Sequence, residues 1–444
     1  MATISYSLST PKLSTLHCSR NFKTNGCLSL NQPSAKTTNA SAAAATSETL
    51  KVAFAAGGTG GHISPAVAIA DELKNQNPDI QILFIGTPTG MESAAVPFAG
   101  YPFVAIPAAP LARPLISVHN IFILPFLLTK SLVKSFQTLQ EFSPQIVIGT
   151  GGYVSFPICL AAAMKGLKLV IQEQNSVPGI ANWVLSLFAE KVFVAFNSSV
   201  DCFWQRNKCI VCGNPVRFSL SKNVVKADAR KHFFPKAVEG TGKRQGKVVL
   251  VLGGSLGASA INIALLNSYF EMLNQREDLF IIWQTGVESF DEMESLVKNH
   301  PRLILKSFLH SMHLAYAAAD LIISRAGAMT CSEILATGKP CILIPSPNVD
   351  EGHQLKNAFL MADLAGSRVI TEDELDSTTL RTAVEEILGI ISLPPCKILA
   401  TVVQKKKYNE SLMVEMSQRA LQAAKPNASS EIAQYILSVV SSSK

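Results

Sequence analysis

Charge is scarce in this chain. Asp, Glu, Lys and Arg make up 16% of its 444 residues, too few for a disordered or coiled-coil protein. No run reaches the ~18 consecutive apolar residues that a membrane-spanning helix requires. Acid is missing altogether from residues 1–47, which carry Lys12, Arg20, Lys23 and Lys36; the first acid is Glu48. Setting those four aside leaves 35 basic against 32 acidic residues, so the formal +7 falls to +3. The basic balance belongs to a leader, and nucleic-acid binding is not expected. Cysteine offers no disulfide framework either. Of nine, Cys18 and Cys27 lie in the leader and seven are scattered, the pattern of reduced, buried thiols. Cys209 and Cys212 form a lone CxxC with no second pair or close His, so no metal is expected there.

About one-third of the leader is Ser or Thr, it ends in the run Ala42–Ala45, and it lacks the apolar core of a secretory signal. That is the composition of an organellar transit peptide, chloroplast rather than mitochondrial because Ser and Thr outweigh Arg. A plain disordered tail is the alternative. The expected division is 1–47 as transit peptide, 48–213 and 214–420 as two domains, and 421–444 as a C-terminal helix packing back on the first.

What is present is apolar: 48% of the residues, enough to bury two cores without staples. From Leu50 short apolar runs alternate with helix-length stretches, the signature of parallel βαβ units. Lys51–Ala56, Ile80–Ile85, Phe103–Ile106, Gln145–Ile148, Leu169–Gln172, Lys191–Ala195 and Ile210–Val211 read as strands, with helices such as Ser64–Asn75, Phe156–Met164 and Gly179–Phe188 between them. Gly213-Asn214-Pro215 is a turn or hinge signal. A second series follows: Lys247–Leu252, Leu279–Gln284, Leu303–Lys306, Leu321–Ser324 and Cys341–Ile344 as strands, with Ala328–Thr337 and His353–Ala365 as helices. The expected fold class is α/β, two doubly wound Rossmann-like domains with a cleft between them. Ile387–Lys407, with Pro394-Pro395 and three consecutive lysines, looks inserted, and Glu431–Val440 reads as a terminal helix.

Three glycine clusters each end a strand and open a helix: Gly57-Gly58-Thr59-Gly60-Gly61-His62, Gly149-Thr150-Gly151-Gly152-Tyr153 and Gly253-Gly254-Ser255-Leu256-Gly257. Glycine lets the backbone approach a ligand, and a helix N-terminus offers free N–H groups to an anion. None is a GxGxxG fingerprint, no acid follows the second strand to hold a ribose, since Ile85 runs into Gly86-Thr87-Pro88, and no Gly-Lys-Ser/Thr of a P-loop occurs. Three anion-binding turns around one crevice suit a phosphate-rich substrate pair. Gln172-Glu173-Gln174-Asn175 ends another strand, and Arg325-Ala326-Gly327 with Glu333 repeats the plan in the second half. Glu333 reads equally as a charge favouring its helix dipole. His353-Gln354 and Asn357 share a helix face.

In family order the chain carries GGTGGH, GGYVSFP, EQNSVPGIAN, GNPVR, GGSLGA, SRAGAMTCSEI and HQLKNA, between about Lys51 and Phe359. With this set it resembles the MurG family of lipid-linked N-acetylglucosaminyltransferases, which have the GT-B fold. The resemblance implies transfer of GlcNAc from UDP-GlcNAc to lipid I, a prenyl-diphosphate-linked muropeptide, to give lipid II with inversion, without a metal or other cofactor. It also implies an acceptor site at Thr59, Gly60, Gly61, Tyr153 and Asn175. His62 is the favoured base and Glu173 the second candidate. On the donor side, Glu333 would bond the ribose and the Leu309 backbone would meet uracil. Ser255 and Arg217 would face the diphosphate, Gln354 and Asn357 the GlcNAc hydroxyls, and Arg325 would support the nucleotide site. Gln172 stands where relatives usually have His, and Leu256 where they have Gln. Both departures fall near the expected site.

The acceptor's lipid implies a membrane surface as partner, on the stromal side of a plastid membrane, with other wall-synthesis enzymes as further partners. Leu115–Phe126 is apolar and flanked by Arg113, Lys130 and Lys134. Such a stretch either dips into an interface or forms an ordinary core helix. The competing functions are a chloroplast synthase moving galactose to diacylglycerol, and an inactive scaffold of plastid division.

Overall fold

β-Branched and aromatic runs flanked by glycine form strands where the pattern places them. In a computed structural model, the described residues are 49–110, 119–217, 224–235, 246–347, 352–389 and 399–441; for His119 and 399–410 this covers the backbone alone. The leader, Arg113, Leu115 to Val118 and residues 390–398 lie outside them. Strands β1 (Lys51–Ala55), β2 (Gln81–Gly86), β3 (Phe103–Ala105), β4 (Ile146–Gly149), β5 (Lys168–Glu173), β6 (Lys191–Val194) and β7 (Cys209–Val211) form one parallel sheet in the order 3-2-1-4-5-6-7. A second parallel sheet follows from β8 (Lys247–Leu252), β9 (Leu279–Gln284), β10 (Leu303–Lys306), β11 (Leu321–Ser324), β12 (Cys341–Leu343) and β13 (Arg368–Val369), in the order 10-9-8-11-12-13. Helices pack on both faces of each sheet, so central strands such as Val52–Ala55 and Val248–Val251 are buried throughout.

Both sheets reverse direction of travel at one point, between β1 and β4 and between β8 and β11. There the register pairs Ala55 with Gly149, and Leu252 with Ser324. In open parallel sheets such a switch point leaves a crevice at the strand C-termini, which is where ligands bind. All three glycine clusters and the Arg325 turn follow one of these four strands. The fold therefore gathers the motifs before any side chain is considered.

Two segments depart from the pattern-based expectation. The helix after β1 spans Gly60–Gln76 rather than starting at Ser64, so Gly60, Gly61 and His62 form its first turn. Ile387–Lys407 is helical at its described ends, which the pattern did not show: Ile387 and Leu388 close the helix Ser377–Leu388, and a 25-residue helix starts at Leu399. The lysine side chains at 405–407 lie outside the description. That long helix packs Met416 and Ala420 into the second half's core. The last helix, Ala428–Ser441, returns to the first half, where Ile432, Ala433 and Ile436 are buried against Val67, Ala70 and Leu73.

The described part of the apolar stretch, residues 119–126, is not a core helix. A π-turn at His119–Ile123 runs into the helix Leu124–Phe142, with Pro125 at the junction, where its missing N–H costs little. Ile121, Phe122, Ile123, Phe126 and Val133 are exposed, Phe122 by 71%. Beside them, Phe126, Lys130, Val133 and Lys134 line a cleft of about 470 Å³.

Candidate active site

The acceptor-side turns are interlocked by backbone that only glycine could supply. Gly152 has φ +82°, and a Cβ there would lie 2.2 Å from the Gly57 carbonyl oxygen. Gly151, at φ +96°, would place a Cβ 2.9 Å from the His62 ring. The Tyr153 ring stands over Gly58, and Thr150 Oγ1 donates to the His62 carbonyl at 2.8 Å. His62 thus sits in the seam between the two turns, on the first turn of a helix that no side chain caps. Thr59, Gly60, Gly61, His62 and Tyr153 come together as the sequence suggests.

His62 Nδ1 lies 3.1 Å from Thr59 Oγ1, and the ring is hydrogen bonded to the Gly57 backbone. Burial pulls its pKa down to about 4; the Gly57 hydrogen bond opposes this, the nearby His353 of the second half adds to it, and Glu92 opposes it. The imidazole is therefore neutral at pH 7. In the tautomer protonated at Nδ1, the loop holds that proton and Nε2 carries the lone pair.

Glu173 is not placed to act as a base. It is buried, and its two oxygens accept four hydrogen bonds: from Asn175 N at 2.9 Å, Asn175 Nδ2 at 3.1 Å, Gly179 N at 3.2 Å and Asn182 Nδ2 at 2.8 Å. Burial raises its pKa, with those donors pulling the other way. It organises the loop that carries Asn175. Asn175 in turn spends its side-chain oxygen on Asn357 Nδ2, at 3.3 Å, across the cleft.

The pattern-based reading missed a second buried acid, Glu92. It accepts from Gly58 N at 3.1 Å, Thr87 N at 2.8 Å and Thr87 Oγ1 at 2.6 Å, tying the first glycine turn to the end of β2. A Cβ at Gly57 or Gly90 would clash with its carboxylate. The signal lay in the sequence: the acid comes six residues after β2 ends, at the start of the helix Glu92–Phe98, rather than directly after the strand.

On the second half, the Gly253–Gly257 turn and the Ser307–Leu309 loop are joined by Gln284, also missed. Its Nε2 donates to the Gly254 carbonyl at 2.7 Å, and its Oε1 accepts from Leu309 N at 2.9 Å. The Leu309 N–H is thus spent and unavailable to a base. Ser255 is half-buried in the turn, while Leu256 is exposed by 53%. Glu333 accepts from Tyr316 Oη at 2.7 Å; burial lifts its pKa to about 7, and that hydrogen bond partly offsets the rise. Arg325 is paired with Glu372 and donates to the Ile344 carbonyl at 3.2 Å, bracing the end of β12. Gln354 Oε1 accepts from Ser346 N at 2.9 Å.

Two expected donor contacts are corrected. Arg217 is exposed and directed at Asp71, 3.8 Å away on the helix Gly60–Gln76, where Tyr101 also binds. That is about three turns from the glycine end of the helix. Asn357 is only 1% exposed; it accepts from Ser176 N at 3.1 Å and donates to the Ala326 carbonyl at 3.2 Å as well as to Asn175. It bridges the two halves instead of presenting an amide to a sugar. Gln172, fully buried, likewise faces the interior and not the cleft. Among the described residues no three His, Cys, Asp or Glu side chains cluster as metal ligands, and Cys209 and Cys212 are free thiols.

Comparison with known proteins fits this division in two. Residues 52–194 match the glycosyltransferase family 28 N-terminal domain, and residues 248–393 match the family 28 C-terminal domain. The UDP-N-acetylglucosamine–N-acetylmuramyl-(pentapeptide) pyrophosphoryl-undecaprenol N-acetylglucosamine transferase of Salinibacter ruber is 37% identical over 86% of this chain and 95% of its own. Its counterpart from Christiangramia forsetii is 44% identical over 74% of this chain and 86% of its own. The crystal structure of Acinetobacter baumannii MurG, 28% identical, superposes with a TM-score of 0.62, covering 88% of this chain and 99% of that one.

Proposed function

The chain belongs to glycosyltransferase family 28, in its MurG branch, and from that premise we propose that it transfers GlcNAc from UDP-GlcNAc to lipid I, giving lipid II and UDP. One observation carries the mechanism: a neutral imidazole, His62, lies in the seam of two anion-binding turns and faces the second half. The acceptor's sugar hydroxyl attacks the anomeric carbon of GlcNAc. A new C–O bond forms, the bond to the UDP oxygen breaks, and the hydroxyl proton passes to His62 Nε2.

Charge develops on the leaving diphosphate, where the Ser255 turn and the uncapped N-terminus of the helix Ala328–Thr337 supply dipoles that need no reorganisation. Glu333 takes the ribose hydroxyls. The first turn of Gly60–Gln76 takes the acceptor diphosphate on its free N–H groups.

The membrane surface is met by the exposed group Ile121, Phe122, Ile123 and Phe126, with Lys130 and Lys134 alongside to meet anionic headgroups. A plastid is the compartment this reading assigns, supported by the acid-free, Ser/Thr-rich leader that precedes the first residue of the family match. The full chain and residues 49–444 are tested for transfer of labelled GlcNAc to lipid I, with UDP-galactose and diacylglycerol in parallel. Lipid II from the first pair alone is the expected product; galactolipid, or no product from either pair, contradicts the assignment.

A further inference from the structure

The chain crosses between the two halves at Gly213-Asn214-Pro215 and returns near Lys425, and the crossings touch: a Cβ on Gly213 would lie 2.5 Å from Lys425 Cβ. Beside this point runs a directed line of buried amides. Gln174 Nε2 donates to the Thr150 carbonyl at 2.7 Å and to Gln172 Oε1 at 2.5 Å. Gln172 Nε2 donates to Asn214 Oδ1 at 2.9 Å. Asn214 Nδ2 donates to Ser332 Oγ at 2.9 Å and to the Gln174 carbonyl at 3.0 Å, and Ser332 Oγ donates to the Ala328 carbonyl at 3.0 Å. Exposure is 0% at Gln172, 2% at Gln174, 3% at Asn214 and 8% at Ser332.

The ends of this line matter. Thr150 is bonded to the His62 backbone, and Ser332 adjoins Glu333. In a dry interior each bond polarises the next, and losing one amide leaves its neighbours' donors and acceptors unpaired. We propose that Gln172 and Asn214 are positioning residues whose amide chain holds the turn around His62 in register with the helix carrying Glu333. For catalysis this inference rests on the transfer reading above. Neither residue touches substrate; each acts by setting the distance between the acceptor and donor sites.

The test uses Asn214→Leu, Gln172→Leu, the double variant, and the milder pair Ser332→Ala and Ser332→Thr. Asn214→Leu and Gln172→Leu should each lower kcat for GlcNAc transfer about 10- to 100-fold, with the KM for UDP-GlcNAc within about threefold. The double variant should lose no more than the worse single one, because both break one chain. Ser332→Thr, which keeps the hydroxyl, should restore what Ser332→Ala loses. Unchanged kcat per folded molecule, or additive losses, overturns the proposal.

Amide hydrogen exchange of the unliganded chain gives a readout independent of transfer. Asn214→Leu, and Ser332→Ala should Asn214→Leu not fold, should speed exchange together in Gln174–Ser176 and in the first turn of Ala328–Thr337. Acceleration confined to residues 212–216 overturns the proposal for either variant. Absence of transfer by the wild-type chain would fail the function while leaving this exchange result to decide the positioning role.

Discussion

The two halves use one plan for different ends. In each, a central strand runs into a glycine turn and a helix, at the point where the sheet reverses. Around the first turn the protein places ionisable groups: His62 half-buried in the seam, with Glu92 buried beneath it and Glu173 buried under the neighbouring loop. Around the second turn it places dipoles and an amide clamp, Gln284, with exposed Leu256 at the tip and Glu333 as the acid. The difference is one of means: on the proposed reading both turns hold a diphosphate, and only the first adds an ionisable group, His62, that can take a proton. Glycine makes both approaches possible, but the buried acids make the first one rigid.

The largest way to break that contrast is at the base. His62→Ala is expected to lower kcat by about 10²–10⁴ while leaving UDP affinity within twofold, as steady-state transfer and calorimetry would show. The converse substitution, Ser255→Ala, should act on the donor side, raising the KM for UDP-GlcNAc and the Kd for UDP together.

Gly152→Ala comes next. Its positive φ alone costs about 1–2 kcal/mol, and the new methyl must also push the Gly57 carbonyl away. Thermal unfolding should show a clear loss of stability, and transfer should fall with it. Gly254→Ala has a similar φ but open space around its Cβ, so it should pay only the backbone part.

Glu333 sharpens the comparison through pH. With its pKa near 7 in the free chain, it is largely protonated at pH 6 and ionised at pH 8. Accepting two ribose hydroxyls requires the ionised form, so UDP should bind more tightly as pH rises towards 7 and level off above it. Calorimetric titrations from pH 6 to 8 should show this slope, and Glu333→Gln should flatten it.

The smallest catalytic effect is expected at the surface. Phe122→Asp should weaken binding to vesicles containing anionic lipid by about tenfold, yet leave transfer to a short-chain, soluble acceptor unchanged. Equal vesicle binding by the variant would remove this face from the account.

Much of the fold was legible because parallel strands buried on both faces write themselves as apolar runs, and the glycine turns punctuate them. The expected strands in both halves agree with the structure to within a residue or two, but the two-residue edge strand β13 (Arg368–Val369) was not expected, being too short to show a pattern. The acceptor cluster was legible for the same reason, since Thr59, His62 and Tyr153 sit within turns that topology brings together. Partner choice over long range was not. Asn357 looks from its helix face like a sugar ligand, but its partners Asn175 and Ser176 lie about 180 residues away, in the other half. Arg217 looked available for a diphosphate because nothing local reveals that Asp71 stands opposite. Glu92 was overlooked because it follows its strand by a loop, and only the folded turn brings it under Gly58.

The central claim is that a half-buried, neutral His62 takes the acceptor's proton. The pH dependence of kcat/KM for the acceptor, measured with UDP-GlcNAc saturating, tests it most directly, because Glu333 is then already engaged by the donor and the profile reports the remaining essential base. With the pKa of His62 held near 4 by burial, the acid limb should lie well below pH 6, and it should vanish in His62→Ala. An acid limb at pH 6.5 or above, or one that survives the substitution, would contradict the account.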